Sequence, residues 1–119
     1  MNVAIIGASD KPERYSYQAV MLLKEKGHSV FPVHQRIQEI AGMKVYPSIK
    51  DVPAELDTVS LYVAADISNQ FADDLLMKKP LRIIFNPGAE NSELTQKAND
   101  QGIISLNACT LVMLRTGQF

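Results

Sequence analysis

The chain has 119 residues, 46% of them apolar and 21% charged, which is the composition of one ordinary globular domain over residues 1–119 and excludes disordered and fibrous classes. Twelve Lys and Arg against thirteen Asp and Glu leave a net charge of −1, so no global field steers nucleic acid or a membrane surface, and an anionic ligand must be held locally. No stretch approaches the roughly 18 apolar residues of a membrane span, no leader pattern follows Met1, and the lone Cys109 fits a reducing compartment while excluding an internal disulfide, so a cytoplasmic protein is expected.

The first apolar run, Val3–Ile6, has the unbroken character of a strand buried on both faces of a parallel sheet. It is followed by Gly7-Ala8-Ser9-Asp10-Lys11-Pro12-Glu13-Arg14-Tyr15-Ser16, small and polar residues opening onto a helix. This is a phosphate-site layout. Gly7 and Ala8 let backbone amides approach an oxyanion, the helix start supplies free donors, and Ser9, Lys11, Arg14 and Ser16 are candidates to add charge or hydroxyl contacts. Only Gly7 of the three glycines of a dinucleotide fingerprint is present, and an ordinary strand-to-helix connection fits the same residues.

The helix predicted over Ser16–Lys26 places Tyr17, Val20, Met21 and Leu23 at helical spacing, with Gly27 to stop it. The second strand, Val30–Val33, ends in Pro32-Val33-His34-Gln35-Arg36. An NAD site places an acid there for the ribose hydroxyls; here His34 and Arg36 suit a phosphomonoester, which narrows the candidates to NADP or coenzyme A. From His34 to Pro53 the chain is loop-rich, with Lys44–Tyr46 expected as a short edge strand and Ser48–Val52 as a single helical turn.

The run Val59–Val63 is expected as the next strand, and its end, Tyr62-Val63-Ala64-Ala65, is small and apolar, suiting a pantetheine arm better than a nicotinamide ring. One helix is expected to carry Ile67, Phe71, Leu75 and Leu76 on a single face and to end at Pro80. Strand Ile83–Phe85 leads to the turn Asn86-Pro87-Gly88-Ala89-Glu90, whose Asn86, Pro87 and Gly88 are ligand-facing candidates, with Asn91 or Ser92 capping a helix over Ser92–Gly102. Strand Ile103–Leu106 precedes a helix over Cys109–Leu114, with Asn107 and Thr110 as candidate caps. A thiol in the first turn of a helix has its thiolate favoured by the dipole; a cysteine that merely fills space fits the same sequence.

The alternation of strands and helices predicts an α/β fold: one Rossmann-like, doubly wound parallel sheet of order 3-2-1-4-5-6 with a short edge strand and helices on both faces. The ligand crevice is expected at the switch point, between the first strand and Val59–Val63.

Taken together, the stretches Gly7–Tyr17, Phe31-Pro32-Val33-His34, Gly42 with Val45-Tyr46-Pro47-Ser48, Asp57-Thr58-Val59, Asn86–Asn91 and Cys109–Val112 resemble the small single-domain CoA-binding protein family. That family is similar in turn to the nucleotide-binding domain of the succinyl-CoA synthetase alpha subunit. The resemblance implies CoA as ligand, with the pyrophosphate over Gly7, Ala8, Ser9 and Lys11, the adenosine end near Pro32, Val33 and Arg36, and pantetheine passing Tyr62, Val63 and Ala64. The chain departs from the family pattern at Gln35, where Pro is usual.

No Ser/His/Asp set and no metal-ligand spacing accompanies His28 and His34, so CoA or acyl-CoA binding is expected rather than catalysis. Small molecules are the expected partners, with no nucleic acid or membrane; no protein partner is indicated. Cys109, on the same rim as the pantetheine path, is expected to form a mixed disulfide with CoA under oxidising conditions. Two rival classes fit the same residues: a minimal NADP-dependent reductase, and an interaction subunit with a degenerate nucleotide fold that docks through Phe119 and the Cys109 helix.

Overall fold

The computed structural model describes residues 1–119. In chain order the elements are β1 (Asn2–Ile6), α1 (Tyr15–Glu25), β2 (Ser29–Val33), β3 (Glu39–Ile40), β4 (Met43–Lys44), a 3-10 turn (Ile49–Asp51), β5 (Thr58–Leu61), α2 (Ala65–Ser68), α3 (Ala72–Met77), β6 (Arg82–Phe85), α4 (Ser92–Asp100), β7 (Ile104–Asn107) and α5 (Thr110–Arg115). β2, β1, β5, β6 and β7 form, in that order, one five-stranded sheet in which every pairing is parallel.

Strand burial follows position in this sheet. Every residue of central β5 is buried, whereas β2 and β7, at the edges, are only partly buried. Because successive side chains of a strand point to opposite faces, β1 feeds two cores. Ala4 and Ile6 join Val59, Leu61, Ile83 and Phe85 beneath Leu75 and Leu76 of α3 and Leu94 and Ala98 of α4. Val3 and Ile5 join Ala19, Val20 and Leu23 of α1 and Leu111 and Leu114 of α5. Helices thus cover both faces, as the unbroken apolar runs require.

Four sequence expectations are corrected. The sheet has five strands, not the six of order 3-2-1-4-5-6. The expected edge strand Lys44–Tyr46 contributes a single parallel bridge, in which the Tyr46 N–H donates to the Pro32 carbonyl at 2.9 Å and the His34 N–H to the Tyr46 carbonyl at 3.0 Å. Lys44 is taken instead by an antiparallel hairpin, β3–β4, whose turn residues Ala41 and Gly42 have φ of 49° and 81°. Two positive φ values are the backbone of a type I′ turn, which matches strand twist.

The single helix expected to run to Pro80 is broken into α2 and α3. At the break, the Asn91 side chain donates to Ser68 Oγ at 2.7 Å and to Asn69 Oδ1 at 2.9 Å, while the Ser68 hydroxyl turns back to the Ala65 carbonyl at 3.4 Å. The backbone there tightens to i→i−3 bonds, the Gln70 N–H donating to the Ile67 carbonyl at 3.0 Å and the Phe71 N–H to the Ser68 carbonyl at 3.2 Å, and Ile67 is left 43% exposed at the carboxyl side of the sheet instead of on a core-facing stripe. At the C-terminal helix, Thr110 is the first helical residue, and the N-cap position belongs to Cys109, which makes no side-chain cap bond.

At the amino edge of the sheet Phe119 packs inward. Its ring lies 4.4 Å from the Arg82 guanidinium and 5.3 Å from the His28 ring. Phe119 is partly buried by these contacts.

Candidate functional site

The parallel sheet sends the loops after β1, β2, β5, β6 and β7 to one edge, and sheet order changes direction between β1 and β5. A cleft of about 510 Å3 opens there, lined by Gly7, Val33, His34, Arg36, Val63 and Phe71 among 13 residues. None of the 13 is a carboxylate, and Arg36 is the one side chain among them with a permanent charge. A second hollow of about 440 Å3, between Lys79–Leu81 and Gln101–Ile103, lies at the amino ends of β6 and β7, away from every loop considered above.

The first loop is tied to its neighbours at its base. The N–H groups of Gly7 and Ala8 both donate to the Val33 carbonyl, at 3.2 and 3.3 Å. Those two amides are therefore occupied; the unpartnered donors begin one residue later, at Ser9 and Asp10. Ser9 Oγ accepts from the Lys11 N–H at 3.1 Å, and the Arg14 N–H donates to the Lys11 carbonyl at 3.0 Å, which folds the loop back to start α1. Arg14 is the N-cap residue with extended backbone, and no side chain caps the helix. The N–H groups of Tyr15, Ser16 and Tyr17 consequently have no partner, and these are the groups that make a helix start attractive to anions. Lys11 and Arg14 are exposed, Ser9 half-buried, Ser16 buried.

Gly7 is positioned by need. Its φ is +85°, and a Cβ there would stand 2.8 Å from Val63 Cγ1 and 3.3 Å from the Tyr62 carbonyl carbon. Only glycine allows the β1 and β5 ends to approach so closely.

Pro32 and Val33 are buried at the end of β2, and the chain then turns at His34. The His34 Nδ1 accepts from the Arg36 N–H at 3.0 Å and from the Ile37 N–H at 3.2 Å. A ring nitrogen that accepts carries no proton, so neutral His34 is the Nε2–H tautomer. Arg36 itself is exposed at the cleft.

On the other side, Tyr62 and Val63 are half-buried and Ala64 exposed. The Tyr62 hydroxyl oxygen is buried without a hydrogen bond, and burial pushes its phenol up to about 12. The hydroxyls of Thr110 and Ser60 lie near enough to oppose that shift in part, yet neither meets hydrogen-bond geometry with it.

Asn86 is placed differently from the other turn residues. It is 1% exposed. Its Nδ2 donates to Ser60 Oγ at 2.8 Å and to the Leu61 carbonyl at 2.9 Å, and its Oδ1 accepts from the Thr110 N–H at 2.8 Å. Ser60 and Thr110 hydroxyls complete the network at 2.8 Å. Asn86 thus spends its side chain on joining β5, β6 and the start of α5, while Pro87 and Gly88 are exposed at the edge. Glu90 closes that turn by accepting from the Gly88 N–H at 2.9 Å, and Asn91 caps α4 by accepting from the Leu94 N–H at 2.9 Å. Cys109, held by the same network through Thr110, is half-buried beside Tyr62.

Of the residues singled out in the sequence, Gly7, Val33, His34, Arg36 and Val63 line the cleft itself. Ser9, Lys11 and Arg14 surround the α1 start, and Tyr62, Asn86 and Cys109 form a third group on the α1–α5 face. Sequence reasoning missed Pro47, Ser48, Ile49, Ile67, Gln70 and Phe71 as cleft lining. The polar run Ser68-Asn69-Gln70, which interrupts the helical stripe, was the signal available for the last three.

The fold and this cleft define a class: a Rossmann-like α/β protein whose ligand crevice opens at the carboxyl switch point and offers free amides with positive charge. The CoA binding domain family matches residues 1–115, and the chain belongs to that family. It is 40% identical over 62 residues to the alpha subunit of ADP-forming acetate–CoA ligase II of Pyrococcus furiosus, a stretch covering 51% of this chain and 14% of the subunit. It is 25% identical over 100 residues to the uncharacterized protein YneT of Bacillus subtilis, covering 84% of this chain and 74% of that protein. A hypothetical protein from Pyrococcus horikoshii shares the fold with a TM-score of 0.90 at 30% identity, over 96% of this chain and 81% of that one.

Proposed function

We propose that the protein is a CoA or acyl-CoA binding module. The observation that carries the reading is the pairing of a carboxylate-free cleft containing Arg36 with the uncapped start of α1: two separate places for negative charge at one sheet edge. CoA has that charge pattern, a 3'-phosphate on the ribose and a pyrophosphate further along. In this reading the adenosine end lies by Pro32 and Val33 with its 3'-phosphate toward Arg36. The pyrophosphate sits over Ser9, Lys11 and the free amides of Tyr15, Ser16 and Tyr17, with Gly7 and Ala8 supplying close approach. Pantetheine runs past Tyr62, Val63 and Ala64 toward Pro87, Gly88 and Cys109. Membership in the CoA binding domain family supports the ligand.

At the thiol end, Cys109 takes part by exchange. Its thiolate attacks one sulfur of oxidised CoA, the disulfide of two CoA molecules; a Cys109–CoA disulfide forms, and one CoA leaves as thiolate. The protein would then carry CoA in a thiol-redox-sensitive way. Isothermal titration tests the binding: CoA gives saturable heat at one site per chain and a thermal shift, NADPH gives neither, and the reverse pattern overturns the reading.

A further inference from the structure

We infer that His34 is a positioning residue that sets the phosphate-reading selectivity of the cleft by holding the turn that carries Arg36. This rests on the proposed role of Arg36 opposite the CoA 3'-phosphate.

His34 is fixed from behind. Its own N–H is bonded to the Tyr46 carbonyl at 3.0 Å, and Tyr46 is bonded in turn to Pro32 at 2.9 Å, so its backbone belongs to the sheet edge. From that post the imidazole reaches forward, and its Nδ1 takes the two successive amides of Arg36 and Ile37. Beyond the turn, the Gln38 carbonyl accepts from the Val45 N–H at 3.0 Å and Ile37 packs against the α1 core, which closes the loop at its far end. Between these anchors, Gln35 and Arg36 are exposed, and the structure gives the Arg36 side chain no hydrogen bond or ion pair with the protein. The Arg36 backbone amide is held by the imidazole nitrogen alone. A guanidinium on an unheld loop pays ordering entropy when it meets a phosphate, whereas one on a pre-folded turn does not.

The role belongs to an acceptor two bonds beyond Cβ, not to imidazole as such. Asn places its Oδ1 at nearly the position of Nδ1 and caps turns in the same manner, whereas Ala offers no acceptor. Titrating CoA and dephospho-CoA into the wild type, His34→Ala, His34→Asn, Arg36→Ala and the His34→Ala/Arg36→Ala double variant tests the inference. Loss of two backbone-directed bonds predicts that His34→Ala weakens CoA about tenfold and dephospho-CoA less than about twofold. His34→Asn stays within about twofold of wild type for both ligands, and His34→Ala adds nothing once Arg36 is gone. Equal losses for both ligands, an Asn variant no better than Ala, or a full additional loss on the Arg36→Ala background each overturn it. A wild type that binds CoA and dephospho-CoA equally refutes the Arg36 reading itself and the inference with it; a wild type that discriminates while His34→Ala discriminates as well refutes the inference alone.

Discussion

Replacing Gly7 by Ala isolates the contact that brings the ends of β1 and β5 together. The substitution has two separable costs. An L side chain at φ +85° meets backbone strain of about 1 kcal/mol or somewhat more. The added methyl would also stand 2.8 Å from Val63 Cγ1 and 3.3 Å from the Tyr62 backbone carbon. Rotation of the Val63 side chain relieves the first contact, but the second requires the backbone itself to move, and such overpacking costs about 1–2 kcal/mol. Gly27 provides the control, because its φ is +88° yet nothing lies within 4 Å of a Cβ built there. Gly27→Ala therefore pays strain alone. The expected losses, read by urea unfolding, are about 2–3 kcal/mol for Gly7→Ala and about 1 for Gly27→Ala, or about 10 and 4 °C in Tm for a domain of this size. Because Gly7 and Val63 both line the cleft, CoA affinity should fall in Gly7→Ala and stay unchanged in Gly27→Ala. Equal destabilisation by the two substitutions would refute the close-approach argument and leave only the φ argument standing.

Asn86→Ala removes three buried hydrogen bonds and strands the Thr110 N–H, so unfolding free energy should drop by about 3–4 kcal/mol; a loss under about 1 kcal/mol would mean that water replaces the side chain. Tyr62→Phe deletes a buried hydroxyl that has no partner and should leave stability within about 0.5 kcal/mol or raise it. The Tyr62 phenol is raised from 10.0 to about 12 in the fold, so its contribution is intact below pH 10 and is lost as pH climbs through about 12. Alkaline unfolding curves of wild type and Tyr62→Phe should diverge in that window, and parallel curves contradict the burial of the phenol. Lys11→Ala should weaken CoA and dephospho-CoA by the same roughly 1–2 kcal/mol, whereas Arg36→Ala should weaken CoA more; titration of both ligands against both variants separates a pyrophosphate contact from a 3'-phosphate contact. Incubation of the reduced protein with CoA disulfide should add the mass of one CoA, removed by dithiothreitol and missing in Cys109→Ser. An unchanged mass with CoA binding intact excludes the exchange step.

The alternation of apolar runs with helical stripes was enough to specify a doubly wound parallel sheet, because a strand buried on both faces has no polar phase and a crossover helix must lie between parallel neighbours. The same reasoning located the switch point between β1 and β5 and the loops that meet there, since strand direction alone decides which loops share an edge. Gly7 and the lack of an acid after β2 were legible as single residues with a chemical meaning. What the chain could not disclose locally were properties of residues distant in sequence. Asn86 read as a ligand-facing turn residue and became the buried link among β5, β6 and α5, because its partners Ser60 and Thr110 come from 26 and 24 residues away. The stripe through Ile67 and Phe71 read as one helix, and Asn91, from beyond β6, supplies the hydrogen bonds at the break that turns those residues into a cleft wall. His34 read as a candidate phosphate contact at a strand end, and only the folded turn brings two amides to its ring nitrogen. Periodicity reports which face of an element is buried; which polar groups pair across elements depends on distances that exist only once the sheet has formed.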